Sequence, residues 1–181
     1  MNEFATELPG LFVIERKPVR DDRGFLERLL CTSGLRCWGN RRVIQINRTL
    51  THNSGVIRGL HFQYSPHAEA KYVCCLKGIV FDVVLDLRKN SHTYGHFFSI
   101  ELNASKHQAL VIPEGCAHGF QTITDNVEML YFHSCDYSPD HQSGINAFDE
   151  SLNIPWPVGC TMISERDQSL PKFETFKGLS P

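Results

Sequence analysis

The chain is written in short beats. Runs rich in β-branched and aromatic residues recur at about ten-residue spacing, punctuated by Gly, Asn, Pro and Ser. They are Leu11–Ile14, Val43–Asn47, Tyr72–Leu76, Ile79–Leu87, Phe97–Leu102, Gln108–Ile112, Gly119–Thr124 and Val127–Ser134. Within Ile79–Leu87, the residues Ile79, Phe81, Val83, Leu85 and Leu87 fall on one face and Asp82 and Asp86 on the other. That period of two belongs to a strand, because successive side chains of a strand point to opposite sides. Lys77-Gly78 reads as a hairpin turn, and Asn103-Ala104-Ser105 and Thr124-Asp125-Asn126 read as further turns. Only Thr32–Trp38 and the stretch around Ser164–Ser169 offer short helical turns, and the polar, proline-bounded Pro171–Pro181 is expected to wrap the surface. Many short strands with little helical periodicity predict an all-β sandwich or barrel, with a jelly roll the best fit. No repeat or linker divides the 181 residues, so one domain, residues 1–181, is expected.

Composition narrows the function classes. A net charge of −2 and 41% hydrophobic residues exclude a disordered chain, a collagen and a basic nucleic-acid wrapper. The segment Met1–Pro9 has no apolar core of a signal peptide, and no stretch is apolar for the roughly 18 residues a membrane span needs. The seven cysteines show no C-x-x-C pair and no disulfide framework, which fits reduced thiols in a cytoplasmic protein. Adjacent Cys74 and Cys75 should point to opposite faces of one strand.

Nine histidines beside seven cysteines raise the question of a metal. Two segments bear on it: Gly55-Val56-Ile57-Arg58-Gly59-Leu60-His61-Phe62-Gln63 and Ile112-Pro113-Glu114-Gly115-Cys116-Ala117-His118-Gly119-Phe120. They resemble the two halves of the cupin signature, which usually supplies several histidines and an acid to a metal. Here Gln63 stands in the place of the second histidine, and the next prominent charge is Lys71. Two imidazoles and a repelling cation fall short of the three ligands a catalytic metal needs, so no metal and no cofactor are expected. The same residues offer proton chemistry instead. Imidazole as a chemical group titrates near neutrality, and one such as that of His61 can take a carbon-bound proton if placed beside it. A lysine such as Lys71 can stabilise the enolate oxygen that develops, and a phenol such as Tyr131 can return a proton on the far face. Taken singly, each also reads as structural: His61 and His118 as strand histidines, Lys71 as an edge lysine, Tyr131 as a core aromatic.

The order of the segments tips the balance. The chain resembles the nucleotide-sugar 3,5-epimerases that act on dTDP-4-dehydro-6-deoxyglucose in the rhamnose pathway, from about Leu8 to Pro171. The likeness runs through Asp21-Asp22-Arg23-Gly24, Gln45-Ile46-Asn47, Ile57–Gln63, Lys71-Tyr72-Val73, Phe81–Arg88, Ile112–Phe120, Leu130-Tyr131, Tyr137-Ser138-Pro139, Ile154-Pro155-Trp156-Pro157 and Ser164–Asp167. The resemblance implies a cupin-type jelly roll and a homodimer that exchanges N-terminal strands. It implies His61 as general base, Asp167 as the carboxylate orienting it, Lys71 as enolate stabiliser and Tyr131 as acid. Arg58, Gln45, Asn47, His118 and Arg23, the last from the neighbouring subunit, would hold the diphosphate and sugar, and Tyr137 would pack on the base. Arg88 matches as well and reads as structural.

The chain departs from the family pattern at Leu26 and Arg28, where an aromatic and an acid are usual. It also carries Arg48 in place of a histidine and Glu69 where a glutamine is common. In the family the strand of Leu26 and Arg28 contributes to the nucleotide site, so these two residues leave the base open; whether C3, C5 or both invert is not readable from the residues. The competing expectations are a metal-dependent cupin oxygenase or isomerase, and a relative that binds a nucleotide sugar without turnover.

Overall fold

A computed structural model describes residues 1–180. Among them are fourteen strands: β1 (Asn2–Ala5), β2 (Phe12–Glu15), β3 (Val19–Asp21), β4 (Gly24–Leu26), β5 (Gln45–Thr51), β6 (Val56–Gln63), β7 (Lys71–Lys77), β8 (Ile79–Asp86), β9 (Phe97–Asn103), β10 (Gln108–Ile112), β11 (Cys116–Thr122), β12 (Val127–His133), β13 (Gln142–Gly144) and β14 (Met162–Ile163). One short helix, α1 (Glu165–Gln168), lies near the end, and single 3-10 turns occupy Thr32–Gly34, Arg36–Trp38, Ala104–Lys106 and Phe173–Thr175. The expected all-β jelly roll is the fold observed; the helical turns expected at Thr32–Trp38 and around Ser164–Ser169 are present, and those at Ala104–Lys106 and Phe173–Thr175 are additional.

Two sheets face each other. The first has the order β1-β2-β10-β7-β12-β5; the second runs β13-β6-β11-β8-β9, with β14 parallel to β6. From β5 to β12 the chain crosses between sheets at every connection except β8 to β9. Lys77-Gly78 is therefore a corner and not the hairpin expected: β7 belongs to the first sheet and β8 to the second. Gly78 has φ +81°, and a Cβ there would stand 2.6 Å from Thr124 Oγ1, so a bare glycine makes the abrupt change of sheet.

Three apolar layers follow from the two faces of each sheet. Between the sheets lie Val73, Cys75, Met129 and Leu110 against Val80, Val84, Cys116 and Phe120. Outside the first sheet, Ile14, Tyr72, Cys74 and Val111 pack on Leu35 and Trp38. Cys74 and Cys75 thus do face opposite ways, and all seven cysteines are free thiols. Outside the second sheet, Leu60, Phe62, Val83, Leu85 and Ala117 are covered by Ile145, Leu152, Trp156, Phe173, Phe176 and Leu179. Burying each such large side chain contributes about 1.5–3 kcal/mol. The C-terminal stretch expected to wrap the surface is consequently the lid of a core layer; Pro181, its last residue, lies outside the described residues.

Both faces of β8 are inside for this reason. Asp82 and Asp86 are wholly buried, and each has to find partners there. Asp86 accepts hydrogen bonds from Arg88, Ser91 Oγ and Thr93 Oγ1. Burial acts to raise its carboxyl, but these donors outweigh it and hold the pKa at about 2. Arg88 is in this way a structural residue.

Candidate active site

One end of the space between the sheets is polar. A cavity of about 720 Å³ opens there, and strand parity explains its lining. In the first sheet, β12 pairs with β5 and β7 so that Asn47 faces Tyr131, and Gln45 and Lys71 flank His133. Gln45, Asn47, Lys71, Tyr131 and His133 all line the cavity, while further along the same strands Val73, Cys75 and Met129 enter the apolar core.

The second sheet supplies Arg58, His61 and His118. Arg58 and His61 are three positions apart, a spacing that a regular strand would send to opposite faces. Pairing of β6 with β11 shifts between His118↔His61 and Phe120↔Arg58, and this irregularity lets both line one cavity. Gly59 sits at the shift with φ +123°, and a Cβ on it would fall 2.5 Å from the Cα of Gly119. Two glycines are what allow the strands to approach so closely.

Helix α1 closes the wall. Ser164 caps it by accepting from Asp167 N–H, which fixes Asp167 at the end of a single turn. His61 Nε2 donates to Asp167 Oδ1 at 2.7 Å, and the Gly59 N–H donates to Oδ2 at 3.1 Å. Burial acts to raise the Asp167 carboxyl, but the bond from His61 and its neighbours hold it below the usual carboxylate range. With Nε2 engaged in donation, the other ring nitrogen of His61 is left as acceptor.

A second histidine–aspartate pair lies deeper. His118 Nε2 stands 2.9 Å from both oxygens of Asp82, and burial drives the Asp82 carboxyl up against the pull of His118. Lys71 Nζ donates to the His61 carbonyl at 3.3 Å and pairs with Glu69 Oε1 at 3.3 Å. Tyr131 lies edge-on to the His118 ring, with centroids 6.2 Å apart, and burial pushes its hydroxyl well up. At the outer end, Gln45 Nε2 donates to Asn47 Oδ1 and Gln45 Oε1 accepts from Tyr137 N–H, while Arg58 Nε donates to Thr51 Oγ1.

Nine of the sequence-predicted residues therefore meet in one cavity: Gln45, Asn47, Arg58, His61, Lys71, His118, Tyr131, Tyr137 and Asp167. Arg23 does not. It sits at the tip of the β3–β4 hairpin, its side chain 90% exposed and paired with Asp21 at 2.6 Å. Asp82, Glu69, His133 and Arg166 belong to the site or its supports without having been singled out for it. The polar interruption of an apolar strand marked Asp82, adjacency to Asp167 marked Arg166 and departure from the family pattern marked Glu69, but a cross-strand neighbour such as His133 leaves no local mark.

Gln63, at the cupin signature's second-histidine position, is used up between two loops: its amide donates to the carbonyl of His67, in the β6–β7 connection, and to that of Asp136 after β12, and it accepts from Ser138 N–H. Among the described residues no group of three or more His, Cys, Asp or Glu is placed to hold a metal ion.

Known proteins resemble this chain in sequence and in fold. The family model for dTDP-4-dehydrorhamnose 3,5-epimerase matches residues 5–175. The Shigella flexneri dTDP-4-dehydrorhamnose 3,5-epimerase is 38% identical over 96% of each chain. The dTDP-4-dehydrorhamnose 3-epimerase of Streptomyces niveus is 41% identical over 70% of this chain and 61% of its own. Among solved structures, the 3,5-epimerase of Legionella pneumophila in complex with dTDP-4-keto-L-rhamnose superposes with a TM-score of 0.91 at 31% identity, covering 96% of this chain and 93% of that one. A family model matched over residues 5–175 and a relative 38% identical over 96% of each chain place this jelly roll in the dTDP-4-dehydrorhamnose 3,5-epimerase family.

Proposed function

We propose that this protein epimerises a nucleotide-linked 4-keto-6-deoxyhexose, dTDP-4-dehydro-6-deoxyglucose first among the candidates, without a cofactor. One observation carries the assignment of roles: His61 comes from the second sheet and Tyr131 from the first, so an imidazole and a phenol line opposite walls of one cavity. The ketone at C4 acidifies the neighbouring C–H bond. The free nitrogen of His61 takes that proton, and the bonding pair moves into an enolate whose oxygen meets the ammonium of Lys71. Tyr131, kept protonated by burial, returns a proton to the same carbon from the other side. One C–H bond breaks and one forms, so the carbon inverts with no change in oxidation state. Asp167 holds the His61 ring and offsets the charge that ring gains.

Arg58 carries positive charge to the diphosphate, with His118, Gln45 and Asn47 on the sugar and Tyr137, half exposed at the mouth, on the base. We take residues 1–181 as one epimerase domain working in the cytoplasm; no helix among the described residues is long and apolar enough to cross a membrane. The active form is proposed to be a homodimer with exchanged N-terminal strands. Support comes from the β3–β4 hairpin, exposed along its whole length with Val19 and Leu26 71% and 78% open. Its Arg23 misses the cavity of its own chain and is free to serve another.

A panel of dTDP-, CDP- and GDP-4-keto-6-deoxyglucose, each assayed for epimerised product after chemical reduction, tests the substrate. Turnover of the dTDP sugar at least about tenfold above the others is expected, and a preference for another base overturns the assignment. Inactivity on all three, with dTDP still bound, turns the reading toward a binding protein without turnover.

A further inference from the structure

Glu69 and His133 lie beside the proposed chemistry without a part in it. Glu69 stands two residues before Lys71, and His133 is the cross-strand partner of Lys71 on β12. The three side chains are nearly enclosed, with only 9%, 8% and 12% of Glu69, Lys71 and His133 exposed. Glu69 Oε1 meets Lys71 Nζ at 3.3 Å, and Glu69 Oε2 accepts from His133 Nδ1 at 2.6 Å. The other nitrogen of His133 is 3.4 Å from Asn47 Nδ2, and Asn47 continues through Gln45 to the backbone of Tyr137. One hydrogen-bonded chain thus runs from the lysine at the sugar end to the aromatic residue at the mouth.

We propose that Glu69 is a positioning residue for the epimerisation, a buried carboxylate that keeps Lys71 cationic and aimed at the enolate oxygen while His133 clamps its second oxygen. This rests on the enolate role assigned to Lys71 above. An ammonium enclosed to this degree is costly unless an anion faces it. The groups around it are His61 and Arg58 on β6, Asp82 on β8, His118 on β11, Tyr131 and His133 on β12 and Asp167 on α1. Of the carboxylates, Asp82 is engaged by His118 and Asp167 by His61, which leaves Glu69 as the anion paired with Lys71. His133 holds that anion in one rotamer from the opposite side. The carboxylate itself is held below the usual range: burial acts to raise it, and Lys71 and His133 outweigh burial.

The test is the pH profile of solvent-deuterium exchange into dTDP-4-keto-6-deoxyglucose, with dTDP affinity measured in parallel as a check on folding. In E69Q the amide preserves shape and removes charge. Its kcat is expected to fall about tenfold with KM within about threefold, and the alkaline limb of kcat to move at least about one pH unit lower, because the lysine loses its anion. E69D should restore the limb. H133F removes the clamp and leaves the charge, so kcat should drop while the limb stays. An E69Q enzyme with the wild-type limb and kcat overturns the proposal. If E69Q cannot bind dTDP, an H133F enzyme of undiminished kcat overturns it instead. A wild-type enzyme that exchanges no deuterium defeats the epimerase reading itself and takes this proposal with it, whereas a fault confined to Glu69 leaves wild-type exchange intact.

Discussion

His61 and Asp167 are 106 residues apart in sequence and 2.7 Å apart in the fold, and the proposed chemistry leans on that pair more than on any other. His61→Ala and Lys71→Ala should each lower kcat by at least about 10²-fold, measured under saturating substrate. Asp167→Asn should also cost about 10²-fold, because the ring loses the acceptor that orients it. Away from the cavity, Asp86 makes a stability prediction. Its folded pKa of about 2 lies below the ordinary carboxylate value, so the unfolded chain binds its proton first as pH falls. The stabilisation is therefore complete above about pH 4 and lost as pH drops through about 2. Asp86→Asn should destabilise by about 2 kcal/mol at pH 7 in urea unfolding, and the gap to the parent should close toward pH 2. The residues that sequence marked were those in compact motifs: R-G-L-H around His61, P-E-G-C-A-H around His118, and the lysine opening a strand. Glu69 was marked only as a departure from the family pattern, and His133 escaped because strand pairing brings it to Lys71, and register is a property of two segments at once.

The elements show why the polar cavity opens at that end of the sandwich. β7 and β12 carry polar residues on their inward face at one end, Lys71, Tyr131 and His133, and apolar ones at the other, Val73, Cys75 and Met129, while β5 presents Gln45, Asn47 and Thr49 to the cavity. The shift in β6–β11 pairing then turns Arg58 and His61 to the same side. Gly59→Ala should therefore do more than soften the sheet. Its Cβ meets the backbone of Gly119 at 2.5 Å, at a φ that alanine rarely adopts. A loss of at least about 2 kcal/mol is expected by thermal or urea unfolding, with kcat falling alongside because Arg58 and His61 are displaced together. Eight of the fourteen strands, β2, β5 and β7 to β12, were readable as β-branched and aromatic runs, most boundaries within two residues, with β5 reaching on to Thr51 and β11 starting earlier, at Cys116; β1, β3, β4, β6, β13 and β14 were not among those runs. Which sheet each strand joins was not readable. A glycine at Lys77-Gly78 makes a hairpin or a corner with equal ease, and the difference lies in what waits on each side. The same holds for the C-terminal stretch, whose Phe173, Phe176 and Leu179 are spaced too widely for a periodic signal and gain their meaning from the apolar face of the second sheet.

At the scale of the whole molecule, one chain holds the proposed base, acid and enolate stabiliser but leaves Arg23 outside. β5 also ends the first sheet as an edge strand, with Ile46 and Leu50 open beside it. Both features fit a second copy. Light scattering should give twice the chain mass, and Arg23→Ala should raise KM at least about tenfold with kcat little changed, since phosphate contacts bind and do not react. An equimolar mixture of Arg23→Ala and His61→Ala chains, refolded together, should regain sites that neither variant has alone; no regain would place Arg23 outside the neighbour's cavity. The central claim is proton abstraction next to the ketone, and its most direct measurement is deuterium at C3 and C5 of dTDP-4-keto-6-deoxyglucose after turnover in D₂O, followed by NMR. The account predicts solvent deuterium at each inverted carbon, its loss in His61→Ala, and residual exchange with little inverted product in Tyr131→Phe. Absence of deuterium with the wild-type enzyme, or exchange in His61→Ala at the wild-type rate, would contradict it.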